Sequence, residues 1–245
     1  MDKTIVESVQ RDVLIKFLKK ERAEDLLDGK LSMATLKKYR EYEDERGNTV
    51  IGDECEGKIT VSEVVLKITD TKTGQVQEEK IDSAAFETEY ANSYIFCMLS
   101  VGKKGEREFV FSEEQKKEIK EFGDRAVVIT DFDEFKNRIA KAAKKAGHEV
   151  VMKYVGYEEE GTVRIDKWVS LMHDMRNIVF WKRGSYKYQQ EFRVLLVNKN
   201  AGKERITLDI GNIRDIAKEV EAKKVLSAKV ICREGENKDN NIDYK

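Results

Sequence analysis

The stretch Trp181-Lys182-Arg183-Gly184-Ser185-Tyr186-Lys187-Tyr188-Gln189-Gln190-Glu191-Phe192-Arg193-Val194-Leu195-Leu196 carries two patterns at once. Its second half reads as a strand over Gln190–Val197, in which alternate residues share a face. Phe192, Val194 and Leu196 fall on one face, suited to a core. Gln189, Glu191 and Arg193 fall on the other, so an amide, a carboxylate and a guanidinium project together from an otherwise apolar strand. An unpaired carboxylate is costly to bury, so Glu191 must be solvated, paired with a cation, or used in chemistry. One reading is an exposed Glu191–Arg193 ion pair, worth about 0–1 kcal/mol. The other draws on the residues upstream, where Arg176, Lys182, Arg183 and Lys187 stand among Phe180, Trp181, Tyr186 and Tyr188. Cations hold phosphates and aromatic faces stack on bases. A carboxylate beside an anomeric carbon hydrogen-bonds a ribose and stabilises an oxocarbenium-like transition state.

Working outward, Val13–Leu18 reads as a strand buried on both faces, and Glu21–Asp28 as a short helix stopped by Gly29. Leu31–Ala34 is a second strand, and Thr35 caps a helix carrying Leu36, Tyr39 and Tyr42. Tyr42 to Gly57 is polar and reads as a loop. A hairpin follows, from Ile59 to Ile68 and from Val76 to Ile81 around a turn ending in Gly74. Tyr94–Leu99 is a central strand. Ser112 and Gln115 form a capping box for a helix through Glu121. Arg125–Ile129 is a strand, and Asp133 caps a helix with Phe135, Ile139, Ala142 and Ala143 on one side, ended by Gly147. Glu149–Gly156 is expected to pair with Thr162–Val169. Strands are expected at Ile178–Trp181, Arg205–Ile210 and Val225–Cys232, with a helix at Asn212–Ala222. These elements predict an α+β fold: a mixed or antiparallel β-rich core with several helices inserted singly. They form one domain over residues 1–234, with a polar, flexible tail at 235–245.

The 245 residues contain no proline, where about a dozen is ordinary, and 38% are charged. A hydrophobic fraction of 40% excludes a wholly disordered chain. Residues 1–120 carry 21 basic and 26 acidic side chains, and residues 121–245 carry 25 and 21, so the second half suits an anionic ligand better. No apolar run reaches the roughly 18 residues of a membrane helix, and no secretory signal opens the chain. Cys55, Cys97 and Cys232 lie far apart and the two histidines are isolated. A disulfide framework and a zinc site are therefore not expected, and a cytoplasmic setting with reduced thiols is.

The remaining candidates have plainer readings. Cys97 sits in an apolar run with no nearby histidine, which reads as an inert thiol. His173-Asp174 reads as structural rather than as a general-base pair. Asp53, Glu54 and Glu56 offer hard oxygen ligands for Mg²⁺, but read first as a solvated loop, so no metal is expected. Gly102-Lys103-Lys104-Gly105 lacks the phosphate-loop spacing. The Lys136–Lys145 helix face reads as solvated rather than as a nucleic-acid surface.

In order of features the chain resembles the bacterial and phage family known as domain of unknown function 2971. The pieces are Leu14-Ile15-Lys16-Phe17, Asp28-Gly29-Lys30-Leu31-Ser32, the acidic loop Gly52–Gly57, the corner Cys97-Met98-Leu99-Ser100 and the strand Gln190-Glu191-Phe192-Arg193. More remotely, Gln189-Gln190-Glu191 is similar to the Gln-x-Glu motif of ADP-ribosyltransferases. That resemblance implies NAD as cofactor, with Glu191 acting on the nicotinamide riboside and Gln189 contacting the acceptor. It places Lys16 or Arg11 at the first NAD-binding position and Ser32, Tyr39 or Ser100 at the second. Arg183, Tyr188 and Arg193 would complete the nucleotide site. The expected function is an NAD- or nucleotide-binding protein of phage–host conflict, an ADP-ribosyltransferase or NAD glycohydrolase. The alternative is a non-catalytic defence or anti-defence protein binding a signalling nucleotide, a partner protein or nucleic acid.

Overall fold

The computed structural model describes residues 5–8, 13–46, 52–101, 108–159 and 164–232. After β1 (Ile5–Ser8), strand β2 (Val13–Leu18) is buried on both faces: Val13, Ile15 and Phe17 enter one cluster, Leu14 and Leu18 another. Helix α1 (Lys20–Leu27) ends at Gly29, whose φ of +87° favours glycine. A Cβ there would stand 1.9 Å from the Gly211 carbonyl oxygen, so the two turns touch backbone to backbone. After β3 (Lys30–Thr35), the Thr35 hydroxyl accepts the Lys38 N–H at 3.2 Å and caps α2 (Leu36–Arg46). The polar run expected as loop from Tyr42 stays helical to Arg46. Glutamate and arginine are good helix formers, and polarity alone does not end a helix.

β4 (Lys58–Thr69) and β5 (Val76–Glu87) form the expected hairpin at greater length, its turn fixed by Asp70, which accepts from Lys72 and Thr73 N–H. β6 (Tyr94–Val101) and β7 (Glu108–Val110) precede α3 (Glu113–Ile119), which carries the Ser112–Gln115 capping box and continues as a 3₁₀ turn over Lys120–Phe122. β8 (Arg125–Ile129) leads to α4 (Phe132–Lys145), capped by Asp131 and not by Asp133: the Asp131 carboxylate accepts the Glu134 N–H at 2.9 Å.

β9 (Val150–Tyr154) pairs with residues 192–196 and β10 (Gly156–Glu158) with residues 181–183, not with the described part of the expected partner, residues 164–169. Residues 160–163 lie outside the described residues, and Ile165–His173 is helix α5, burying Lys167 and Leu171 four residues apart. Met175–Phe180 is a 3₁₀ turn where a strand was expected, because the Asp174 carboxylate accepts the Arg176 N–H and starts a turn. β11 (Trp181–Arg183) then pairs parallel to β10. A second 3₁₀ turn (Gly184–Gln189) precedes β12 (Glu191–Leu196) and β13 (Arg205–Asp209). The helix expected over Asn212–Ala222 is instead a turn and β14 (Ala217–Glu221), recruited by pairing with β8. α6 (Ala222–Ser227) takes the start of the expected last strand, leaving β15 (Lys229–Cys232). The tail at 235–245 lies outside the described residues. Among those described, no helix is long and apolar enough to cross a membrane.

The fold is α+β, and its main sheet of eight antiparallel-paired strands turns on β6. One edge of β6 carries β12, from Tyr94 to Leu99, and β9 lies beyond β12. The other edge is shared: β3 pairs at Tyr94–Ile95 and β2 at Leu99–Val101. From there the sheet splays into two arms, β3–β13 and β2–β8–β14. Phe135 and Ile139 of α4 and Leu26 of α1 close one face with Leu14, Met33, Phe96 and Val194. The opposite face is covered by two separate clusters, one around Phe17, Phe111 and Val225, the other around Leu36, Val179 and Leu195.

Candidate functional site

The splay leaves Phe96, Cys97 and Met98 unpaired on one edge of β6. Lys16 fills this gap. Its ammonium donates to the Cys97 carbonyl at 2.6 Å and lies 4.9 Å from the centre of the Phe96 ring. Burial lowers the proton affinity of this amine, opposed by the Cys97 and Glu191 side chains.

Across β6, register sets Glu191 opposite Leu99 and Arg193 opposite Cys97, so both project on one face as strand alternation requires. Gln189 does not belong to that strand. It ends the 3₁₀ turn, and Gln190, at φ +41°, lies between it and β12. Gln189 reaches the same cluster by a different path: its side-chain Oε1 accepts from Lys182 Nζ at 2.7 Å, and its Nε2 donates to the Tyr188 hydroxyl at 3.3 Å.

Glu191 and Arg193 are not an exposed pair; Arg193 is 1% exposed. Arg193 Nε donates to Glu191 Oε2 at 2.7 Å, and its two terminal nitrogens hold both Glu56 oxygens at 2.5 and 2.9 Å. The Val179 carbonyl accepts a further bond. Lys182 donates to Glu191 Oε1 at 2.9 Å and lies 4.0 Å from Glu56. The acidic segment is therefore not merely a solvated loop: Asp53 and Glu56 are buried, Glu56 on Arg193 and Asp53 on Arg183 at 3.0 Å. A buried carboxylate needs several donors, and the sequence-adjacent arginine supplies one. The other comes from Lys182, nine positions upstream, and the second carboxylate on Arg193, Glu56, arrives from 137 positions away.

The charges respond accordingly. Burial alone would raise the Glu191 carboxyl, but Arg193 and Lys182 outweigh it and hold the group well below the usual carboxylate range. For Arg193, burial is likewise outweighed by Glu191 and Glu56, so the guanidinium stays charged. Burial pushes the Glu56 carboxyl up, against the pull of Arg193 and Lys182. Burial also pushes the Cys97 thiol up to about 12, with Glu191 adding to the shift, which makes it inert. Tyr157, whose phenol burial keeps protonated, accepts the Glu191 N–H at 2.8 Å.

These groups line a half-open cavity of about 130 Å³. The polar lining comes from Lys16, Tyr39, Glu56, Lys182, Gln189, Glu191 and Arg193. The apolar lining comes from Ile15, Phe17, Leu99, Ile119 and Phe122, with Leu99 beside Glu191 across the β6–β12 pair. Of the expected site residues, Lys16, Tyr39, Gln189, Glu191 and Arg193 thus come together. Arg183 turns away to Asp53 and Glu54, and the Tyr188 carbonyl accepts from Gln115, so neither lines the cavity. Ser32 accepts from Arg205 on the β3–β13 arm, and Ser100 is buried away from the lining. Arg11 and Gly102–Gly105 lie outside the described residues. The sequence offers Glu56 as a loop residue or a metal ligand and Lys182 as a phosphate cation; nothing local in it shows that both join the Glu191–Arg193 network. Among the described residues no cluster of three or more histidine, cysteine, aspartate or glutamate side chains can hold a metal ion.

A cavity of roughly 150 Å³ admits one benzene ring, whereas whole drug-sized ligands need about 300–1,000 Å³. The residues present therefore fit one ring of a dinucleotide such as NAD, with the remainder outside the cavity. No protein-family model, curated protein or solved structure matches the chain.

Proposed function

We propose that the chain is a ligand-binding protein whose site is the cavity between β2, β6 and β12, and that it takes the ring end of a nucleotide or of NAD. The observation that carries this reading is the convergence of β2, β3 and β12 on one strand, β6, which sets Lys16 and Glu191 around one cavity that apolar side chains also line. Binding is favoured over catalysis because both Glu191 oxygens are held by cations. A carboxylate already neutralised by Arg193 and Lys182 has little field left for a ribosyl cation. A role in phage–host conflict is what the family resemblance implies for such a ligand. Calorimetric titration with NAD, ADP-ribose and mononucleotides tests the reading. Saturable binding weakened by Lys16→Ala supports it, and no binding of any of them removes it.

A second reading, ribosyl transfer or NAD hydrolysis on an ADP-ribosyltransferase-like fold, draws support from the ionised Glu191 with Gln189 close by. Nicotinamide release from NAD that is lost in Glu191→Gln would establish it. Binding without release leaves the non-catalytic reading in place.

A further inference from the structure

Among the described residues, the ion pairs around the cavity leave one lining cation, Lys16, over. Arg193 and Lys182 face Glu191 and Glu56, and Arg183 faces Asp53. Lys16 has, among the described residues, no carboxylate partner within ion-pair distance: its ammonium meets one backbone carbonyl and the face of one ring. An ammonium has three donors, so two remain for a ligand. Holding a desolvated cation in this way is costly unless a counter-ion joins it.

The apolar part of the lining narrows the choice of counter-ion. Ile15, Phe17, Leu99, Ile119 and Phe122 present no charge, and a bare inorganic anion would leave them against water or empty space. The volume of about 130 Å³ is that of one six-membered ring, and the half-open geometry leaves room for one substituent. We infer that the cavity is a receptor for a small planar monocarboxylate, an aromatic acid of benzoate or nicotinate size, whose carboxylate pairs with Lys16 while its ring lies against Phe17 and Phe122. This rests on the same cavity as the function proposed above and names a ligand class for its inner end, but it does not need the nucleotide.

The probe is benzoate, with benzamide as its neutral isostere and inorganic phosphate as an anion without a ring. Calorimetry at pH 7 on the full chain should show benzoate binding at least tenfold tighter than either. Lys16→Met should abolish the preference for benzoate over benzamide. Wild-type protein with ¹³C-labelled lysines gives an answer independent of any substitution: the titration midpoint of Lys16 must rise when benzoate is bound. Benzamide binding as tightly as benzoate, phosphate binding as tightly, or an unmoved Lys16 midpoint overturns the inference. NAD is titrated in parallel. NAD binding without benzoate binding removes the small-acid receptor and leaves the nucleotide reading; benzoate binding without NAD binding does the reverse.

Discussion

Arg193→Met is the substitution that tests the site most directly, because it removes the group on which two buried carboxylates depend. Arg193 makes one bond to Glu191 and two to Glu56, and all three side chains are less than a tenth exposed. Methionine keeps the length of the apolar stem, so packing loss is small and the charge term dominates. Among the described residues, Glu56 would then keep Lys182 at 4.0 Å as its one cation, and Glu191 would keep Lys182 at 2.9 Å. Breaking a buried ion pair by removing one partner costs about 3–5 kcal/mol. With total stability on the order of 5–15 kcal/mol, that is a large share. At this chain length it corresponds to a fall in Tm of roughly 6–20 °C. Urea unfolding followed by circular dichroism measures it, and the slope of free energy against urea should be unchanged. Adding Glu56→Gln to Arg193→Met should recover part of the loss, since it neutralises one orphaned charge, so the two effects are expected to be non-additive. A loss below about 1 kcal/mol, in the range of exposed pairs, would refute the view that this network is desolvated.

Three further outcomes follow from the same geometry. Glu191 is ionised in the fold well below its unfolded value of about 4.3, so its stabilisation is complete above that pH and is lost as pH falls toward the folded value; the stability gap between wild type and Glu191→Gln should therefore be widest near neutrality and narrow below about pH 4, and a gap that widens in acid would contradict this. Gly29→Ala should destabilise by several kcal/mol, since a Cβ meets the Gly211 carbonyl at 1.9 Å in a left-handed turn; thermal unfolding within 2 °C of wild type would show that the turn relaxes freely. Cys97, its thiol pushed up to about 12, should resist iodoacetamide at pH 8 in the native protein and react once unfolded, as peptide mass mapping can follow; rapid native alkylation would overturn the assignment of an inert thiol.

Local chemistry was a reliable guide where the deciding interactions are local. Val13–Leu18, Tyr94–Val101 and Glu191–Leu196 are strands because double or continuous apolar patterning leaves no other way to bury both faces. The Ser112 capping box and the Gly29 stop act within one helical turn and could be placed from neighbours alone. Sequence reading failed where pairing partners are remote. Ala217–Glu221 carries a helix-compatible pattern, and only the free edge of β8 makes it a strand. Ile165–His173 lies beside a hairpin-like sequence, but β9 is already taken by β12.

The sequence by itself determined that Glu191 and Arg193 alternate on one face of an apolar strand, where a buried carboxylate has to be answered by cations. Tertiary structure decided everything about how it is answered. Folding brings Glu56 across 137 residues to Arg193 and swings Lys182 onto Glu191. It also splits one edge of β6 between β2 and β3, so that Lys16 fills the gap without a carboxylate partner among the described residues. The physical reason is that charge pairing and desolvation act through space over a few ångströms, whereas a sequence pattern records only what lies within a turn or two along the chain.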